Sequence, residues 1–491
     1  MQQGDALKNA LFSDVISWIV RSIQDWLLTC ARVGPIWLLL AFPAFASPPI
    51  LVTPALPNAK LSVTYSASAL VGSSQSPLNV SVTGLPAGLV ATHNGSGGVS
   101  ITGTPTQSGV FSLTVNADNP DGSISRTVIL KVLDQSTFAS NVTALSSGGQ
   151  HACALVNGGV QCWGDNSSGQ LGNGTLVSSP TPVQAIAIGS GVTAISAGST
   201  HTCAIVGGAV QCWGANTYGQ LGNGTNISSP IPVQAIASGN GVTAISSGGS
   251  FTCALVSGGV KCWGINTYGQ LGNSTVLNSS TPVQAIAAGS NVIAVSAGGS
   301  HACAAVSGGL KCWGYNSNGQ FGNSSTTNSS TPIQTITNSS NVTAVSASAS
   351  TTCVIASGGV FCWGSNYYGS LGNGNAIQST SPVQAISTAN NISALSAGGY
   401  HACAISNGGL LCWGGGTNLP TESTFTGGLP FQYLPAGSNV TAISAGSNFT
   451  CAIISGRVQC WGDNNFGQLG DGTTSNDLVP ALSFTTGSTV T

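Results

Sequence analysis

The chain repeats itself. The tripeptide Cys-Trp-Gly begins at Cys162, Cys212, Cys262, Cys312, Cys362, Cys412 and Cys460, in steps of 50 residues except for a last step of 48. A fixed period of this size means that one supersecondary unit is copied along the chain and buries its apolar faces only against its neighbours. From Asn141 the first unit reads NVTALSS, GGQHACALV, NG, GVQCWG, DNSSGQLGNG and SSPTPVQAI. Four short stretches rich in β-branched and apolar residues alternate with Gly- and Asn-rich turns, and none has helical spacing. Seven units of four strands fit an all-β, seven-bladed β-propeller, in which radial repetition leaves only short protected edges. An open solenoid is the structural rival. It needs polar capping units at its ends, and the sequence offers none.

Cysteine spacing sharpens this reading. Fourteen cysteines form seven pairs of equal spacing: Cys153 and Cys162, Cys203 and Cys212, Cys253 and Cys262, Cys303 and Cys312, Cys353 and Cys362, Cys403 and Cys412, Cys451 and Cys460. A two-residue turn at Asn157-Gly158 places Val156 opposite Gly159, and counting outward places Cys153 opposite Cys162. Pairs alternate between hydrogen-bonded and non-hydrogen-bonded, so the cysteines fall on a non-hydrogen-bonded pair with Cα atoms about 4.5 Å apart. One local disulfide per unit follows. Each closes a loop of about ten residues, which by loop-closure entropy stabilises by at most about 2.5–3 kcal/mol.

The rival for these residues is a metal site built on His151, Cys153 and Cys162. The histidine recurs only at His201, His301 and His401; Phe251, Thr351 and Asn448 are read as taking its place elsewhere. Cysteine pairs that persist without their third ligand read as disulfides in an oxidising compartment. No metal or cofactor is expected. The histidines are expected to be hydrogen-bonded packing residues. Trp163 and its equivalents are expected between blades, the alternative being a ring of exposed carbohydrate-stacking indoles.

Charge excludes several functions. Only 4% of residues are charged, against about 25% in ordinary soluble domains. From Asn141 onward the ionic side chains are Asp165, Lys261, Lys311, Glu422, Arg457, Asp463, Asp471 and Asp477. No basic patch is available to neutralise phosphates, so nucleic acid is not an expected partner.

The first 46 residues read as an export segment. Arg32 precedes an apolar run that ends in Ala44-Phe45-Ala46, the order of a secretory signal. Upstream, Leu11, Val15, Ile19, Ile23 and Leu27 recur at helical spacing. That stretch is either an extension before the true signal or an amphipathic anchor on a membrane. Residues 48–134 form a separate region of strand-like stretches, LSVTYSA, LNVSVTG, GVSITG, GVFSLTVNA and SRTVILKVL, with a turn at Asn119-Pro120-Asp121-Gly122. Its size and alternation suit a β-sandwich. His93 reads as a solvated residue of the loop HNGSGG.

Two resemblances add to this. Gly84-Leu85-Pro86-Ala87-Gly88-Leu89 with Gly103-Thr104-Pro105 resembles the Ig-like domains of bacterial surface proteins, which implies a spacer or adhesion module. The motif Cys-Trp-Gly-x-Asn-x-x-Gly-Gln-Leu-Gly, as at Cys162 to Gly172, resembles the RCC1 repeat, and covers 141–491. It departs at Gly319 to Gly322 (GQFG) and Gly369 to Gly372 (GSLG), and it is missing after Trp413, where a remodelled loop is expected. The resemblance implies a propeller. Members of that family include nuclear exchange factors, chromatin binders and secreted β-lactamase inhibitors; the charge and the export segment disfavour the first two.

No catalytic constellation is present: no Gly-x-Ser-x-Gly elbow, phosphate loop or His-Glu-x-x-His, and too few carboxylates for a glycosidase pair. The expectation is a non-enzymatic, monomeric, extracellular or cell-surface binding protein that meets a protein or glycan on a propeller rim, with a secreted enzyme inhibitor or enzyme as the alternative. Contact with a membrane is expected only through an uncleaved first segment. Limited proteolysis should cut first at 135–140 or 46–58. Early cutting inside several blades would contradict this division.

Overall fold

The computed structural model describes residues 49–51, 56, 59–60, 64–72, 78–93, 98–107, 109–133, 142–415 and 428–482. The export segment and the 135–140 junction lie outside the described residues. Nine four-stranded sheets are present, two before the junction and seven after it.

The seven later sheets are the blades, each one contiguous piece of chain. In blade 1 the strands are Val142–Ser147, His151–Val156, Gly159–Gly164 and Ser179–Ile186, paired in that order and antiparallel. The central hairpin forms because Asn157 and Gly158 both take positive φ, 49° and 73°, the pairing of angles that a right-twisted two-residue turn requires. Val156 faces Gly159 and Cys153 faces Cys162. All seven disulfides follow from the same register, with Cα atoms 4.0 Å apart in the first and 4.1 Å in the last. The metal reading gives way to this arrangement, since both sulfurs of each pair are spent on each other.

The ring closes by the contacts that join successive blades. The hydroxyl of Ser146, on the innermost strand, accepts the backbone N–H of Ala197 in the next blade at 2.8 Å. Ser196, Ser246, Ser296, Ser346 and Ser396 do the same onward. At the seam Ser444 accepts the N–H of Ser147 in blade 1 at 2.7 Å. Cores lie between blades: Ala152, Ala154, Val156 and Trp163 of blade 1 pack on Phe449, Cys451, Val458, Cys460 and Leu469 of blade 7. A closed ring, not a solenoid, is the result.

Some expectations need correction. The histidine-equivalent residue in blade 7 is Phe449, not Asn448, because Phe449 pairs with Gly462 as His151 pairs with Gly164. Phe449 also stands two residues before Cys451, as His151 stands two before Cys153. In the N-terminal region the strands are Ile50–Leu51, Tyr65–Gly72, Gly98–Gly103 and Leu89–His93 in one sheet, and Ala59–Lys60, Gly122–Leu133, Gly109–Asn119 and Asn79–Thr83 in the other. Residues from both sheets share one core, including Tyr65, Ile101, Leu113 and Leu130. Of the stretch LSVTYSA, residues 61–63 lie outside the described residues, and its end belongs to the strand Tyr65–Gly72. His93 ends a strand and is half-buried, rather than sitting solvated in a loop.

Because closure joins the first blade to the last, deleting residues 438–491 exposes two apolar blade faces at once. The six-blade truncation is expected to lose its cooperative thermal transition and to aggregate. A monomeric truncation melting within a few degrees of the parent would mean that closure contributes nothing.

Candidate functional site

The blades have two ends. At one end lie the tight hairpin turns such as 157–158 and the links between blades such as 187–191. At the other lie the short turn 148–150 and the long loop 165–178, tied together where Asp165 N–H donates to the Gln150 carbonyl at 2.9 Å. The second end, here the loop face, carries the surface most capable of recognition.

Six of the long loops are each held by one buried asparagine. Asn166 Nδ2 donates to the carbonyls of Thr175 and Val177, and its Oδ1 accepts the N–H of Leu171 at 2.9 Å. Asn216, Asn266, Asn316, Asn366 and Asn464 repeat this and are fully buried. The loop then latches the next blade. Trp213 Nε1 donates to the Gln170 carbonyl at 2.9 Å, and Trp163 Nε1 donates to that of Gln468 across the seam. All seven Cys-Trp-Gly indoles are buried, so the exposed carbohydrate-stacking ring is excluded for them.

The histidines belong to the same interfaces. His151 Nε2 meets Thr202 Oγ1 of the next blade at 2.8 Å. That hydroxyl donates its own proton to the Gln170 carbonyl, so the imidazole must be the donor, with its proton on Nε2 and Nδ1 bare. His201–Thr252, His301–Thr352 and His401–Thr450 match it. Where the histidine is replaced, the next blade changes too: Phe251 is followed by Ala302, Thr351 by Ala402, and Phe449 by Ala152 across the seam. Histidine and threonine are therefore swapped together, interface by interface. The sequence contained this signal, but it shows only when each histidine is read with the residue 51 positions ahead, or 49 for His401.

Burial drives the four imidazoles below their ordinary value of 6.5, to about 4 for His151, His301 and His401. His201 falls to about 3, mainly by burial and further through the charge of His151. None is poised for acid–base chemistry near neutrality.

At the centre of the loop face the turns Gly148-Gly149, Gly198-Ser199 and their equivalents line a cavity of about 130 Å³. Backbone bonds link six of the seven neighbouring turns around it, among them Gly149 N–H to the Gly198 carbonyl and, across the seam, Ser447 N–H to that of Gly148. Outward from this mouth stand tyrosines that the sequence reading did not single out, of which Tyr218, Tyr268, Tyr368 and Tyr400 are exposed and Tyr315 is half-buried. Tyr268 lies against Tyr315 of the next blade with ring centres 4.8 Å apart, and Tyr368 lies against Tyr400 at the same distance. Tyr218 and Tyr268 hold one loop position, each donating its N–H to the side-chain oxygen of the glutamine two residues on. In blade 1 that glutamine, Gln170, donates Nε2 to Asp165. Blades 3 and 4 have Ile265 and Tyr315 in place of the aspartate, and Gln270 and Gln320 Nε2 find no acceptor among the described residues.

A family profile described as the regulator of chromosome condensation (RCC1) repeat matches residues 157–205, 207–255, 257–305, 307–355, 357–405 and 455–490. The chain belongs to the RCC1-repeat family. A second profile of the RCC1 repeat matches six shorter stretches from 142–170 to 440–468. Among solved structures, human WBSCR16 is 20% identical over 66% of this chain and 93% of its own, with a TM-score of 0.60; this likeness is one of fold. The CRINKLY WD40 ectodomain of the Arabidopsis thaliana receptor kinase ACR4 is also 20% identical, over 66% of this chain and 98% of its own, with a TM-score of 0.41. No curated protein matches.

The histidine interfaces make stability depend on pH. With folded values below the unfolded one, the unfolded chain takes up protons first as pH falls. The stabilisation is complete above about 6.5 and is lost as pH drops toward 4 and 3. Melting temperature should fall over that window. His151→Phe combined with Thr202→Ala, which copies the Phe251–Ala302 interface, should flatten part of the fall. Thr202→Ala alone leaves the imidazole donor unsatisfied and should cost about 1–3 kcal/mol. An unchanged pH profile in the double variant would refute this role.

Proposed function

We propose that this chain is an exported, non-enzymatic binding protein whose propeller offers its loop face to a partner. One observation carries the reading: exposed apolar and aromatic side chains gather on that face. Leu176, Val177, Ile227, Val276, Leu277 and Ile377 stand out from the long loops, and Tyr218, Tyr268, Tyr368 and Tyr400 lie inside them. Toward the opposite end of the blades only Ile188 and Ile293 are exposed large apolar residues, among those described. Clustering of this kind marks interaction surfaces, whereas scattered apolar residues do not.

Membership of a family of interaction propellers supports binding over catalysis. Seven disulfides support an oxidising destination, and so does the signal-like segment at Arg32 to Ala46. Among the described residues no helix is long and apolar enough to cross a membrane. In this reading the Ig-like region at 48–134 is a spacer that carries the propeller away from its point of attachment.

The test compares two variants of the mature protein against cell-envelope and extracellular fractions. Leu176→Ser with Ile227→Ser and Leu277→Ser alters the loop face; Ile188→Ser with Ile293→Ser alters the other. The first set is expected to lose capture of the ligand that the parent retains, and the second to keep it. The reverse result would move the site to the hairpin face.

A further inference from the structure

We infer that the loop face over blades 2 to 6 binds an uncharged polysaccharide, with Tyr218, the Tyr268–Tyr315 corner and the Tyr368–Tyr400 corner as its sugar platforms. This rests on the loop face being the contact surface, and goes further by naming what it contacts.

The first support is the shape of the aromatic groups. In each corner the two rings meet at a steep angle, 58° for Tyr268–Tyr315 and 65° for Tyr368–Tyr400. The rings are inclined, tilted in the first corner and edge-on in the second, so neither corner is a flat stack. A pyranose has an apolar C–H face and a rim of hydroxyls. The ring face takes the first, and the phenol oxygens take the second. The phenol of Tyr433 is spent on the Leu478 carbonyl. Those of Tyr218, Tyr268, Tyr315, Tyr368 and Tyr400 have no partner among the described residues.

Charge is the second support. The loops 215–228, 265–278, 315–328 and 365–378 contain no Asp, Glu, Lys or Arg, and neither do the turns that flank them toward the central mouth. The two carboxylates at the head of a long loop, Asp165 and Asp463, lie in blades 1 and 7 and accept hydrogen bonds from their own loops. A nucleic acid, a uronate or sulfated polymer, or an anionic membrane would find no counter-charge on the long loops of blades 2 to 5. Protein interfaces lean on arginine beside their aromatic anchors, and this face has none. Amide and hydroxyl groups with tyrosine suit a ligand that is itself neutral and hydroxylated.

Repetition is the third. Tyr218, Tyr268 and Tyr368 occupy one position in units 50 or 100 residues apart, so the platforms are copies arranged around a ring. A ligand built of repeating sugars can occupy several at once, and linked weak contacts then sum to a firm hold.

The experiment is affinity gel electrophoresis of the full mature protein in gels containing neutral glucans, mannans, galactans or N-acetylglucosamine polymers, with pectate as the charged control. At least one neutral polymer should retard the protein, equally in low and high salt, and pectate should not. Tyr268→Ala with Tyr315→Ala should weaken the retardation about ten-fold, the size of one aromatic contact. Tyr268→Phe, which keeps the ring, should weaken it less. Ile188→Ser on the opposite face controls for folding and should bind as the parent does. Retardation by no neutral polymer overturns the inference, as does unchanged binding by the double alanine variant. If the tyrosine variants instead lose a captured protein while no polymer is bound, the loop face stands as the contact surface and the polysaccharide assignment falls.

Discussion

Six of the seven blades are held under the loop of the blade before them by a buried indole. Trp213 sits with its ring against Gly172, where a Cβ would come within 2.6 Å of the indole nitrogen, and that nitrogen donates to the Gln170 carbonyl. The Gly-Gln-Leu-Gly loop is therefore shaped by the neighbour it covers. The glycine leaves room for the ring, the glutamine turns its carbonyl inward to two donors, and Leu171 joins a core with Val160, Ala204 and Trp213. Strand pairing within a blade sets the height of the tryptophan, and the disulfide fixes that pairing. The loop face, with its turns, mouth and tyrosines, is what remains on the outside of these latches.

Blade 6 shows how far the latch tolerates change. Its sequence has no Gly-Gln-Leu-Gly after Trp413, and Trp461 Nε1 of blade 7, although buried, has no hydrogen-bond acceptor among the described residues. Tyr433 occupies the position that is Ala185 in blade 1, and its ring stacks on Trp461 with centres 5.0 Å apart and planes 14° from parallel. A large aromatic residue on the outer strand of blade 6 thus packs directly on the indole of the next blade. Blade 6 still pairs Cys403 with Cys412 and bonds Ser396 to Ala445, so the ring passes through it unbroken.

Period, strand count and cysteine register could be read from the sequence because each is local: a turn, an alternation, a count outward from Asn157-Gly158. The interfaces could be read only in part. Ser146 and its six equivalents recur in every unit, but an unremarkable serine in a serine-rich chain gives no sign that its hydroxyl bridges to the next blade. The histidines were legible as packing residues, yet their threonine partners lie a full repeat away. In blade 7 the residue aligned with the histidines is Phe449, one beyond the Asn448 read there. The tyrosine corners were the least legible. Tyr315 and Tyr400 are not at repeated aromatic positions, and each acquires meaning only when Tyr268 or Tyr368 of the preceding blade is brought beside it. Repetition reveals what all units share and hides what a few of them add.

No strand is exchanged between the first and last blades. Each sheet is one uninterrupted stretch of chain, and the seam between Ser444 and Ser147 is made by the same side-chain and backbone bonds as every other junction. The ring thus has no privileged starting point. The order of its units is a circle written out on a line, and the place where the line is cut is an accident of inheritance. A gene coding for such a ring can be rearranged by moving whole units from one end to the other, and the seven cross-linked hairpins travel intact because none spans a cut. What such a rearrangement must respect is adjacency: a histidine-bearing unit has to be followed by one that carries threonine, and a phenylalanine-bearing unit by one with alanine. The neighbours, not the ends, are what this sequence specifies.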